Sequence, residues 1–228
     1  MNTPRIYLDS AEPAHIQEAV STGLVDGIAT NPNKIAQSGK TYRQALEEIR
    51  ACFAGPIAFQ AMGATTDEII RHALEIHAMD PGLAVKVVAN RIGLPAIKPL
   101  VAAGVRTNAT LIFNPAQALL AAQAGSPFIS PFIGRARMAG GDGIAAIGTM
   151  RRLLEAWGLS QTCIIGASIK DVAQVVDVVL AGAHAVAVPF PVFEAMMEHP
   201  LTEQGYRRFT EEFSALTGRA PREEGRHP

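Results

Sequence analysis

Leu83-Ala84-Val85-Lys86-Val87-Val88-Ala89 is an apolar, valine-rich run of strand length with a single cation at its centre. Strand alternation sends Val85 and Val87 to one face and Ala84, Lys86 and Val88 to the other. Lysine is almost never fully inside a protein unless it is paired, so two readings of the run compete. In one, it is an edge strand whose lysine stays in water and blocks pairing with other chains. In the other, Lys86 faces the interior of a barrel or the mouth of a cleft, and the protein uses it as an amine. The rest of the chain decides between them.

Short apolar runs alternate with longer segments of helical period along the whole sequence. Eight strand candidates emerge: Arg5 to Asp9, Leu24 to Thr30, Pro56 to Met62, Leu83 to Val88, Val105 to Thr110, Phe128 to Ile133, Cys163 to Ser168 and His184 to Val188. Between them lie helices such as Thr65 to Met79, with Ile69, Ile70, Ala73, Leu74 and Ile76 on one face, and Gly143 to Trp157, with Ile147, Met150, Leu153 and Leu154. Strict alternation of eight strands with helices predicts an α/β fold, a single (β/α)8 TIM barrel. An open doubly wound sheet fits less well, because no G-x-G-x-x-G follows the first strand. One barrel domain is expected over residues 1–218, carrying an added C-terminal helix at about 201–217 with Tyr206, Phe209, Phe213 and Leu216 on one side; 219–228 reads as a disordered tail.

The 228 residues are 48% hydrophobic and 18% charged, with a net charge of −1. That balance supplies a core and gives no electrostatic case for nucleic acid or an anionic membrane surface. No apolar stretch reaches bilayer length, and Met1 to Arg5 leaves no room for a signal peptide. Cys52 and Cys163 match neither disulfide nor metal-ligand spacing, which favours a cytoplasmic location. The six histidines show no convergent ligand spacing either, so neither a metal nor any other cofactor is expected.

A closed parallel barrel builds its active site from side chains at the C-terminal ends of its strands. Those ends supply Asp9, Thr30 and Asn31, Gln60, Lys86, then Asn108 and Thr110, then Ser130, Phe132 and Arg135, then Ser168 and Lys170. Any one of them is most simply a helix cap or a turn former. Together, an acid, an amine, amides, hydroxyls and an arginine on successive strands suit amine catalysis on a carbonyl. A buried Lys86 would attack a ketone as the neutral amine, with desolvation lowering its pKa. Asp9, the only carboxylate in the set, is the candidate for moving the hydroxyl proton. Gln60 and Thr110 could orient the water lost and regained at the imine, and Arg135, Ser168 and Lys170 make a candidate phosphate pocket.

The chain resembles the transaldolase family, in its short bacterial branch that also contains fructose-6-phosphate aldolase. The resemblance is carried by Tyr7-Leu8-Asp9-Ser10, Thr30-Asn31-Pro32, Val85-Lys86-Val87, Thr107-Asn108-Ala109-Thr110-Leu111-Ile112-Phe113, Ser130-Pro131-Phe132-Ile133-Gly134-Arg135, Ala167-Ser168-Ile169-Lys170 and His199-Pro200-Leu201-Thr202. It implies a (β/α)8 barrel, a Schiff base at Lys86, acid/base work by Asp9, no metal, and sugar phosphates as small-molecule partners. Asn31, Asn108 and Ser130 would hold the dihydroxyacetone portion, and Arg135 and Ser168 the phosphate. A homo-oligomer, pentamer or decamer, with the C-terminal helix crossing a subunit boundary, is also implied.

Within that resemblance the chain mixes two patterns. Gln60 is similar to the aldolases, where transaldolases carry Glu; Asn108, Ser130 and Phe132 are similar to transaldolases, where the aldolases carry Tyr at the position of Phe132. Phe has no proton to give an enamine, which favours transfer of the dihydroxyacetone unit to an acceptor over its release. The leading expectation is therefore a transaldolase. The alternatives are a fructose-6-phosphate aldolase, a transaldolase acting on a sulfonated ketose, which Lys170 in place of a common Arg leaves open, and a non-catalytic phosphosugar-binding barrel.

Overall fold

A computed structural model describes residues 4–217. Eight strands form a closed, all-parallel barrel in sequence order, β1 (Arg5–Asp9), β2 (Gly27–Ala29), β3 (Ile57–Gln60), β4 (Ala84–Val88), β5 (Arg106–Ile112), β6 (Phe128–Pro131), β7 (Cys163–Gly166) and β8 (Ala185–Val188), with β8 pairing back onto β1. The helices are α1 (Pro13–Ser21), α2 (Pro32–Gln37), α3 (Tyr42–Cys52), α4 (Thr66–Met79), α5 (Leu94–Ala102), α6 (Pro115–Gln123), α7 (Ile133–Met138), α8 (Gly143–Ala156), α9 (Val172–Leu180), α10 (Phe190–Met197) and α11 (Pro200–Thr217). The predicted (β/α)8 barrel is thus present, with one strand in each of the eight predicted runs and an added C-terminal helix.

The core lies between strands and helices. Val85, Val87, Ile28, Leu8, Ala109, Ile129 and Ile164 are shut off from solvent on the outer wall of the barrel, against Ile16, Ile49, Ile69, Ile76, Ile97, Ile147 and Met150 from the surrounding helices. Burial of that apolar surface is the main drive for closing the barrel. Helix starts are set locally. Asn31, Thr41, Thr65, Asn114, Asp142 and Asp171 each accept a backbone N–H in the first turn of the following helix, and Pro32 and Pro115 follow two of these caps at positions where no N–H is needed.

Three details differ from the sequence expectation. β2 is only Gly27–Ala29: Asp26 turns its carboxylate to the backbone N–H of Ile6 at 2.8 Å, and Leu24 is exposed, so the run from Leu24 is half loop. Strand β6 stops at Pro131, and Ile133 opens α7. On α4, Leu74 is exposed while Ile69, Ala73 and Ile76 are buried, because five apolar positions span a wider arc than the barrel wall covers.

The chain divides into two compact units, one through Phe193 and one from Glu194. In the second, α11 is an 18-residue amphipathic helix on which Tyr206, Phe209, Phe213 and Leu216 are all exposed. The tail expected at 219–228 lies outside the described residues. No described helix is long and apolar enough to cross a membrane.

Candidate active site

β4 sits between β3 and β5, in register Gln60↔Lys86↔Asn108. Lys86 is therefore on a central strand of a closed sheet that has no edge, and its side chain points into the barrel with 7% of its surface exposed. The Nζ donates to the backbone oxygen of Thr30 at 2.8 Å. Burial pushes the Lys86 amine below its ordinary value; the Asp9 carboxylate pulls it back up, and the Lys34 ammonium adds to the lowering. Desolvation dominates, as it does when an ammonium leaves water without a full counter-charge.

A cleft of about 480 Å³ opens above Lys86 at the C-terminal end of the barrel. Asp9, Asn31, Gln60, Phe132, Arg135, Ser168 and Lys170 line it, so most of the predicted set converges on one cavity. Asn31 caps α2 with its Oδ1 and donates from Nδ2 to Asp9 Oδ1 at 3.3 Å. Arg135 lies 5.3 Å from the centroid of the Phe132 ring, which in turn meets Phe113 edge to face; stacking of this kind restrains a guanidinium without neutralising it. Gly134 N donates to Ser168 O at 3.0 Å, and a Cβ on Gly134 would stand 2.2 Å from that oxygen and 2.7 Å from Lys170 Cγ. Only glycine lets α7 approach the β7 loop closely enough to bring Arg135, Ser168 and Lys170 together.

The remaining predicted residues are buried and do not line the cleft. Asn108 and Ser130 line a second cavity of about 60 Å³ that also reaches Lys86, large enough for a few waters, and Ser130 donates to Asn108 Oδ1 at 2.8 Å. Thr110 Oγ1 is buried with no hydrogen-bond partner among the described residues, which leaves its hydroxyl available to a water or a ligand. Thr30 is fully buried; its hydroxyl donates to Ala58 O at 2.8 Å and only its carbonyl faces Lys86. It contributes backbone rather than a hydroxyl.

Backbone irregularities cluster at the same end. Leu111 and Ser168 have φ of 59° and 60°, the only described non-glycine residues in the left-handed region, and both line the cleft. Leu111 falls at the β5 register shift between Thr110 and Ile112, a bulge of the type that re-aims side chains beside a site. A larger cavity, about 710 Å³, opens at the opposite, N-terminal end between Arg5, Arg151 and His184. It lacks the amine and the acid, and barrel chemistry belongs to the C-terminal face, so the smaller cleft is the candidate active site.

Sequence reasoning missed Lys34, Met62 and Tyr42. Lys34 lines the cleft and contacts Asp9; Tyr42 on α3 donates to Gln60 O at 2.9 Å and steadies the end of β3; Met62 Sδ stands 3.6 Å from Gln60 Nε2. No sequence signal tied Lys34 to Asp9: the helix pattern gives its face on α2 and not its distance from the end of β1.

Comparison with known proteins agrees with this fold. Residues 6–221 match the family model described as Transaldolase/Fructose-6-phosphate aldolase. A probable transaldolase of Clostridium perfringens is 37% identical over 210 residues, covering 92% of this chain and 97% of the relative. One from Symbiobacterium thermophilum is 38% identical over 215 residues, 94% and 99% of the two chains, and one from Herpetosiphon aurantiacus is 38% identical over 205 residues, 90% and 92%. A closed barrel with an inward lysine, matched along nearly its whole length, places the chain in the transaldolase/fructose-6-phosphate aldolase family.

Proposed function

We propose that the protein is a class I transaldolase that carries a dihydroxyacetone unit on Lys86. The observation that carries the reading is the desolvated Lys86 amine at the floor of a cleft in which Asp9 is the only lining carboxylate among the described residues. The neutral amine adds to the ketone of a ketose phosphate, and loss of water gives a protonated imine. Asp9 then takes the proton of the hydroxyl two carbons from the imine carbon. The carbon–carbon bond breaks, its electron pair enters the imine to form an enamine, and an aldose phosphate leaves. An acceptor aldehyde enters, the enamine carbon attacks it, and hydrolysis frees the new ketose. Asn108, Ser130 and Asn31 suit the hydroxyls of the held fragment, Gln60 and Thr110 the water, and Arg135, Ser168 and Lys170 the phosphate.

Incubation with fructose 6-phosphate and borohydride should attach a reduced three-carbon adduct to Lys86, read by peptide mass spectrometry. An unmodified Lys86 under those conditions sinks the proposal and favours a binding barrel without chemistry. A second reading, cleavage to free dihydroxyacetone and glyceraldehyde 3-phosphate, is supported by the neutral amide of Gln60 at the strand end beside Lys86. Product formation without an acceptor aldehyde separates the two: stoichiometric free dihydroxyacetone means aldolase. Arg135 and Lys170 suit a sulfonate as well as a phosphate, so sulfonated ketoses belong in the same substrate panel. The proposal extends to a cytoplasmic homo-oligomer, pentamer or decamer, supported by the free thiols Cys52 and Cys163 and by the exposed aromatic face of α11. Mass measured in solution tests the assembly.

A further inference from the structure

Lys34 is the cation of the cleft that touches its acid. Its Nζ donates to Asp9 O at 2.6 Å and stands 3.7 Å from Asp9 Oδ1, with both side chains about a quarter to a third exposed. The contact is built from both ends. Asn31 accepts the backbone N–H of Lys34 at 3.1 Å and, through its other side-chain atom, donates to the same Asp9 oxygen. Asn31, Lys34 and Asp9 therefore close a ring that joins the start of α2 to the end of β1.

One carboxylate in this cleft faces two lysines. Were Asp9 to pair with Lys86 it would hold that residue as an ammonium, which has no lone pair with which to attack a carbonyl. We propose that Lys34 is a positioning residue: it occupies the charge of Asp9, and thereby leaves Lys86 a free amine and Asp9 aimed at the substrate hydroxyl. The inference deepens the imine reading and takes its catalytic meaning from it. Asp9 from β1, Lys34 from α2, Arg135 from α7 and Lys170 after β7 share the cleft with Lys86, while Arg5 and Arg106 line the small cavity on its other side. Among these charges, Asp9 favours the Lys86 ammonium and Lys34 opposes it, on top of burial.

The test uses the full chain with Lys34→Gln, which removes the charge, Lys34→Met as an independent second removal, and Lys34→Arg, which restores it. Lys86 is labelled with acetic anhydride from about pH 6 to about pH 10, across the range in which a lowered lysine titrates, and the extent is read by peptide mass spectrometry. At pH 7 the two neutral variants should label about three- to tenfold more slowly than wild type, the effect of one like charge removed in a partly solvated site, and converge with it at high pH. Their kcat profiles should move to higher pH with KM nearly unchanged, and Lys34→Arg should restore both. Unchanged or faster labelling at pH 7, or an effect confined to KM, overturns the inference. Labelling needs no turnover, so the two readings fail separately. Slower labelling in a protein that never traps an imine removes the transaldolase reading and leaves the charge arrangement standing; an imine in wild type with no labelling change in the variants does the reverse.

Discussion

Replacing Lys86 with Met should make the barrel relatively more stable as pH falls, in a way that reports the state of the amine without any substrate. In the unfolded chain Lys86 titrates near its ordinary 10.5, and in the fold burial lowers that value. Between the two values the unfolded chain holds one proton more than the native one, so stability rises with pH by about 1.4 kcal/mol per unit. The destabilisation is absent above 10.5, grows as pH falls below it, and levels off once the folded lysine is itself protonated. Met carries no such dependence. It does lose the 2.8 Å bond to Thr30 O, and the orphaned carbonyl costs about 1–3 kcal/mol at every pH. The slope is therefore the diagnostic quantity. For a chain of this size each kcal/mol moves the melting temperature by about 2–4 °C, so Lys86→Met should gain about 3–6 °C on wild type for each pH unit downward from 10.5 until the curve flattens. Calorimetric melts of both proteins at matched ionic strength measure it. Parallel Tm curves across that range would mean that native Lys86 keeps its proton as the unfolded chain does, and the case for a poised amine would fail.

Gly134→Ala forces a methyl to 2.2 Å from Ser168 O and against the stem of Lys170; KM for a phosphorylated donor should rise at least about tenfold, the loss of one or two charge-assisted contacts, while unphosphorylated dihydroxyacetone is used as before. Steady-state kinetics with both substrates checks it, and equal losses on the two would remove these residues from anion binding. Phe132→Tyr puts a phenol at the rim of the cleft and should raise the yield of free dihydroxyacetone in the absence of acceptor, measured by coupled assay; an unchanged yield breaks the link between that ring and the fate of the enamine. Arg50 grips Asp80 with two nitrogens at 2.9 and 2.6 Å, and its hydrogen bonds hold the Asp80 carboxyl below its ordinary 3.8. Arg50→Ala should cost about 1 kcal/mol at neutral pH, a difference present above 3.8 and lost as pH falls through the folded value, followed by denaturant titration at several pH values; a loss that persists unchanged in acid assigns the effect to packing.

Strand positions were legible because a barrel strand advertises itself twice, by its outward valines and isoleucines and by the turn residues that bound it. Lys86 is the clearest case, since the outward Val85 and Val87 fix which way the lysine must point. The polar ends of β1, β4, β6 and β7 were legible for the same reason. What alternation cannot convey is depth. Asn108 and Ser130 occupy the right strands yet line the small second cavity rather than the cleft, Thr110 is buried away from both, and Thr30 turns its hydroxyl into the wall. Lys34 was illegible because helix period describes the face a residue takes on its own helix and says nothing of a strand end 25 residues earlier. Nor did any glycine announce the left-handed turns at Leu111 and Ser168, since the residue types there are ordinary and the tertiary structure imposes the conformation.

Those two turns have a consequence for any effort to improve the protein. A leucine and a serine held at positive φ each cost of order 1–3 kcal/mol of folding free energy, and both are at the rim of the cleft. Glycine at either position would relieve the strain, so a selection for thermal resistance alone should converge on Leu111 and Ser168 early. Variants chosen that way would gain heat tolerance while softening the wall of the cleft that holds Lys86, and their catalytic decline would come from lost rigidity rather than from any lost functional group.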